Sequence, residues 1–141
     1  MLSSCNCLRV IRHIVASELA SQRGAGHFEI LACADPHESL TDGRLAVDSI
    51  EVMGLARAVS DFFELHRNDQ DEWLLRRNTL SQWRDVVMES LADPALSIGF
   101  RSGGSSGEPK TIRQPRFHLE AEVKGLADIV GAVKRIVCTV P

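Results

Sequence analysis

The chain has 141 residues, 44% apolar and 25% charged, with a formal net charge of −3. That length holds one compact domain with an appendage, or two very small units, and the balance is that of an ordinary folded protein rather than a disordered or fibrous one. Lys and Arg are scattered along the chain, so no dense basic face exists to neutralise phosphates, which excludes nucleic acid as a partner.

At the amino end, Leu8-Arg9-Val10-Ile11-Arg12-His13 breaks any apolar run with charge. Such a segment suits neither a signal peptide nor a bilayer span, so a cytoplasmic chain without a membrane partner is expected. Cys5, Cys7, Cys33 and Cys138 lack C-x-x-C spacing and read as reduced thiols rather than a zinc site or a disulfide framework. Apolar residues at Leu8, Ile11, Ile14, Val15 and Leu19 form one helical stripe, with Arg9, Arg12 and Glu18 off it, and Gly24 and Gly26 stop that helix.

From Ile30 to Asp48, Pro36, Gly43 and several acidic residues predict a long loop pinned to the core by Leu31, Leu40 and Leu45. A second stripe of Ile50, Met53, Val59, Phe62 and Phe63, with Leu55 and Ala56 between, predicts a helix from about Ser49 to Leu65, capped by Asp48 or Ser49. His66 to Asp71 is turn-like, and Glu72 to Arg76 predicts a short helical turn carrying Trp73 and Leu74 inward. Thr79 and Gln82 have the spacing of a capping box for a last helix that buries Leu80, Trp83, Val86, Val87 and Leu91.

Asp93-Pro94 marks a boundary. Beyond it come a β-prone Ser97-Ile98-Gly99-Phe100, a Gly/Ser string from Ser102 to Lys110, a helix around His118 to Val133 and a β-prone run from Arg135 to Val140, which is an α/β order. That last run has nothing left to pair with before Pro141, so the chain reads as a piece of something longer. The expected fold is mainly α: a four-helix bundle over residues 5–92, followed by a short α/β tail over 93–141 that serves as a linker and partial loop segment.

A serine used as a covalent phosphate attachment point must be exposed, on a rigid element, and in a field that tolerates negative charge. A helix start supplies free N–H groups and the positive end of the macrodipole. Ser49 sits there, between Asp48 and Ile50. Asp35-Pro36, Ser39-Leu40, Leu45 and Asp48-Ser49-Ile50-Glu51 together resemble an acyl carrier protein over roughly Leu8 to Leu91. The resemblance implies that Ser49 receives 4′-phosphopantetheine from coenzyme A and bears an acyl or aryl thioester, with Asp48, Ile50 and Glu51 completing the motif that partner enzymes read. It implies as partners a phosphopantetheinyl transferase, an acyl-activating ligase and acyl-processing enzymes of fatty acid, polyketide or related secondary metabolism. The carrier is expected to be monomeric and to catalyse nothing itself. Two departures are plain: Ala46 stands where the family has glycine, and Gly54 and Arg57 interrupt a recognition helix that is usually rich in acid. An Asp-Ser pair at a helix start also reads simply as a cap, in which case the chain is a plain helical interaction module.

The string Ser102-Gly103-Gly104-Ser105-Ser106-Gly107-Glu108-Pro109-Lys110 reads as a flexible linker on composition. It is not a Walker A loop, because no Gly-Lys-Ser/Thr stands at the required spacing. It also resembles the phosphate loop of the adenylate-forming superfamily, with Ser102, Ser105, Ser106, Gly107 and Lys110 at the matching positions and Gly103 in place of that motif's first core serine. Small residues there let backbone amides wrap the phosphates of ATP. On this reading the chain is a non-catalytic fragment of an acyl-activating ligase, too short to hold an acid pocket. His13, His27, His37, His66 and His118 are too widely spaced to suggest a metal site, and Phe62, Phe63, Trp73 and Trp83 read as core residues that border a groove.

Overall fold

The computed structural model describes residues 2–24, 34–101 and 110–131. These are mainly helical, with one small sheet. Helix α1 runs Ser4–Arg23, one turn longer at its start than the apolar stripe suggests, because Ser3 caps it by accepting a hydrogen bond from the Asn6 N–H at 3.2 Å. It ends where Gly24 takes a φ of +96°, a conformation open to glycine, and donates its N–H back to the Ala20 carbonyl. Cys7, Ile11, Val15, Ala16 and Leu19 are its buried face, while Leu8 and Ile14 are half-buried at its margins.

The loop that follows is tied to the far side of the fold rather than held by apolar anchors alone. Leu40 donates its N–H to Asn78 at 2.8 Å and accepts from Val47 at 2.9 Å, and Pro36 accepts from Ser81 at 2.8 Å. Leu40 and Leu45 are buried, as their spacing suggests; Leu31 lies outside the described residues.

Helix α2 spans Ser49–Phe63 and is followed by a 3-10 turn, Leu65–Asn68. Its buried side is Leu55, Ala56, Val59, Ser60 and Phe63. Ile50 and Met53 instead face outward, 74% and 53% exposed, which corrects the stripe read from the sequence. The exposed Arg57 and Asp61 lie on the same side as Ile50 and Met53, and the opposite side, with Leu55, Val59 and Phe63, is the buried one, with α1 among its neighbours. The short α3, Asp71–Leu75, buries Leu74 but leaves Trp73 43% exposed beneath the guanidinium groups of Arg76 and Arg77, at 5.2 and 5.9 Å. Trp73 therefore does not enter the core, and cation–π contact at the surface holds its ring. Helix α4, Leu80–Ser90, is capped by Thr79, which accepts from the Gln82 N–H. The Gln82 side chain reaches the Asn78 N–H at 3.0 Å, one residue before the cap, so the reciprocal half of the capping box is displaced by one position.

Strands β1, Ser97–Arg101, and β2, Thr111–Pro115, pair antiparallel with Gly99 opposite Arg113 and Arg101 opposite Thr111. Only β1 is visible as a strand in the sequence; β2 carries one aliphatic residue and ends in proline, and pairing with β1 is what makes it a strand. Among the described residues the order is therefore β1, β2 and then a helix, with a second strand where none was expected. Helix α5, Arg116–Val130, starts two residues before the expected position and stops at Gly131, whose φ is +64°, instead of continuing to Val133. None of its residues is buried among the described residues, and Phe117, Val123, Leu126 and Ile129 are exposed. The β-prone run 135–140 lies outside the described residues. No helix among the described residues is long and apolar enough to cross a membrane.

Candidate functional site

Two places carry the residues singled out in the sequence: the head of α2 and the hairpin β1–β2. At the head of α2, Asp48 has extended backbone, and its Oδ1 accepts from the N–H groups of Ile50 and Glu51, each at 2.8 Å. Glu51 returns the favour through Oε2, which accepts from the Asp48 N–H at 2.9 Å, so the cap is Asp48 and the motif is a full capping box. Ser49, the first residue of the helix, is exposed, as is Asp48.

The Arg23 guanidinium, at the end of α1, holds this turn from behind. It donates to both carboxylate oxygens of Glu51 and to the carbonyls of Leu45, at 2.9 Å, and Ala46, at 3.1 Å. The Glu51 hydrogen bond outweighs partial desolvation and, with the charges of Glu51 and Asp48, raises the Arg23 pKa further above its ordinary value. Ala46 sits at a φ of +42°, the left-handed region that glycine adopts without strain. The alanine found where carrier proteins have glycine thus occupies a position whose backbone suits glycine, and Arg23 binds the carbonyl of that strained residue. Glu51 is committed to holding α1 against α2, whereas Ser49 and Ile50 present outward.

At the second place, β1 and β2 bracket the Gly/Ser string. Residues 102–109, and with them Ser102, Ser105, Ser106 and Gly107, lie outside the described residues. Lys110 is described, exposed, immediately before β2. The hairpin is fastened to the carboxyl end of α2. Glu64 caps that helix in left-handed backbone, with its side chain 1% exposed. Its carboxylate takes a hydrogen bond and ion pair from Arg113 of β2, and a longer contact of 3.4 Å from Arg67. Burial opposes ionisation of Glu64, but the Arg113 charge and hydrogen bond, together with hydrogen bonds from Ser97 and Arg67, hold its carboxyl below the usual carboxylate range. Sequence reasoning missed both Glu64 and Arg113. The available signal was an acid set between Phe62-Phe63 and Leu65, where an apolar run makes a buried, paired carboxylate the expected outcome.

A cleft of about 460 Å³ lies between α2 and residues 66–75, with Met53, Arg57, His66 and Leu75 on its walls. None of the four aromatic residues expected to border a groove lines it; Trp83 and Phe63 are fully buried instead. The Cys7 thiol is pushed up to about 11, chiefly by burial, with Arg84 opposing and Asp85 adding, so it stays protonated near neutrality and is no nucleophile.

Neither a family model nor a solved structure matches the chain. Curated proteins do. A 4-coumarate--CoA ligase of Halorhodospira halophila is 27% identical over 148 residues, covering 99% of this chain and 36% of that protein. A 4-coumarate--CoA ligase of Rhodobacter capsulatus is 29% identical, covering 88% of this chain and 34% of its own length. A third, from Cereibacter sphaeroides, is 25% identical, covering 94% and 36%. The chain is similar to these ligases across the helical body and the hairpin alike, and it spans about a third of their length.

Proposed function

We propose that this chain is part of an ATP-dependent acyl-activating ligase of the adenylate-forming kind, with residues 102–110 as its phosphate loop. The observation that carries this reading is that relatives named as CoA ligases match 88–99% of the chain, the carrier-like helices included. A true carrier domain fused to a ligase would match such relatives only in its tail. The antiparallel hairpin supports the same reading, because it gives a Gly/Ser-rich string two fixed ends and an exposed Lys110 at one of them. Backbone amides of small residues can then approach ATP phosphates closely while the lysine supplies positive charge. The acid substrate, of aryl or acyl type, and coenzyme A as acceptor would be bound by parts of the ligase beyond this third. Alone, the chain binds nucleotide and forms no acyl adenylate.

Calorimetric titration of the full chain with MgATP tests this. Saturable binding is expected, with Kd raised about tenfold in Lys110→Ala, the loss of one charge-assisted contact to phosphate. Absence of binding by the folded chain would overturn the reading.

A second reading keeps Ser49 as a phosphopantetheine carrier site, and one observation favours it: Ser49 is an exposed first residue of a well-capped 15-residue helix. Under it, a phosphopantetheinyl transferase with coenzyme A and Mg²⁺ adds a phosphopantetheine-sized mass to the chain and none to Ser49→Ala. An unchanged intact mass in both proteins removes the carrier and leaves Ser49 as the first residue of a helix that Asp48 caps.

A further inference from the structure

Helix α5 is fastened only at its start. The Arg116 N–H donates to the Leu96 carbonyl at 3.0 Å, and the Arg116 side chain donates to the Leu91 carbonyl and pairs with Glu120 at 3.2 Å. Past that turn no residue of the helix is buried, and Val123, Leu126 and Ile129 are 66, 60 and 83% exposed. Leu119, Val123, Leu126 and Val130 fall at i, i+4, i+7 and i+11, which is the a/d seam of a helix that packs lengthwise against another helix. Lys124 and Asp128 lie on the far side, and Glu120 and Glu122 stand one at each margin of the seam. A folded chain rarely leaves an apolar strip of this kind to water.

We infer that this seam joins two copies of the chain, α5 of one lying antiparallel against α5 of the other. The spacing of the seam reads the same from either end, so the surface is complementary to itself, which is what a closed two-fold contact requires. Leu119 of one copy meets Val130 of the other, and Val123 meets Leu126. At the margins Glu122 flanks Ile129 of the second copy, and Glu120, already paired with Arg116, flanks Ala127, so no like charges face each other. Antiparallel alignment also opposes the helix macrodipoles. It sets the two helical bodies, each attached at an amino end of α5, at opposite ends of a contact about 22 Å long. A seam of two heptads buries less than a standard interface, so the dimer is a reversible one, with Kd on the order of 10–100 µM. This differs from the monomer that the carrier resemblance implies.

The test is sedimentation equilibrium of the full chain at concentrations from about a tenth to about ten times that Kd. Leu126→Glu and Asp128→Lys are run alongside, with far-UV circular dichroism to check that each is folded. The wild type is expected to pass from monomer to dimer mass and to go no further. Leu126→Glu places two carboxylates on the seam of every dimer and should raise Kd at least about tenfold. Asp128→Lys, on the far side of the helix, should leave Kd within about twofold of the wild type. A monomer at every concentration overturns the inference and leaves α5 to pack on another part of a longer ligase. Association that runs beyond the dimer, or a Leu126→Glu chain that dimerises like the wild type, overturns it as well. None of these outcomes touches MgATP binding, which tests the ligase reading separately.

Discussion

Trp83→Ala is expected to destabilise the helical body by about 3–5 kcal/mol, enough to leave a marginally stable domain largely unfolded at room temperature. Trp83 is the largest of the fully buried side chains. It is also the point where α4 grips the segment before it: its indole N–H is shared between the carbonyls of Leu74, at 2.9 Å, and Arg77, at 3.0 Å. Truncation opens a cavity and leaves those carbonyls without their donor, so two penalties coincide. Trp83→Phe separates them. It keeps much of the ring volume but not the N–H, and a loss of about 1–3 kcal/mol is expected. Urea unfolding followed by circular dichroism measures both. An alanine variant within about 1 kcal/mol of the wild type would show that the core does not depend on this contact.

Glu64→Gln should alter the pH dependence of stability, because this buried carboxylate at the end of α2 is paired with Arg113 of the hairpin. Arg113, Ser97 and Arg67 lower the carboxyl's folded pKa below its ordinary value. A depressed carboxylate contributes stability above its unfolded pKa, near 4.3, and loses it as the pH falls through the folded value. The wild type should therefore lead Glu64→Gln by about 1–3 kcal/mol at neutral pH, a range set by charge-assisted hydrogen bonds and kept modest because Arg113 and Arg67 are each about half exposed. The lead should shrink below about pH 4. Denaturant midpoints of both proteins between pH 3 and 7 give the comparison, and a difference independent of pH would mean that the carboxylate charge plays no part. The amide variant retains hydrogen-bonding capacity and size, so it does not open a cavity that would mask the titration.

Read as a sequence, the chain declared its local rules. The Ser49 helix with its Asp48 cap, the Thr79 cap, the Gly24 stop and the buried Leu40, Leu45 and Trp83 all depend on residues a few positions apart, and local chemistry decides them. Tertiary structure decided the rest. The stripe read for α2 joined residues of two sides, and the folded chain buries the side of Leu55, Val59 and Phe63 while Ile50 and Met53 face outward beside Arg57 and Asp61. Trp73 is held outside by two arginines, an arrangement that apolarity alone would reverse. β2 exists because β1 pairs with it, and the Glu64–Arg113 clamp joins residues 49 positions apart. A strand's partner and a buried charge's counter-charge are long-range facts. No window of sequence contains both halves, so only the folded chain brings them together.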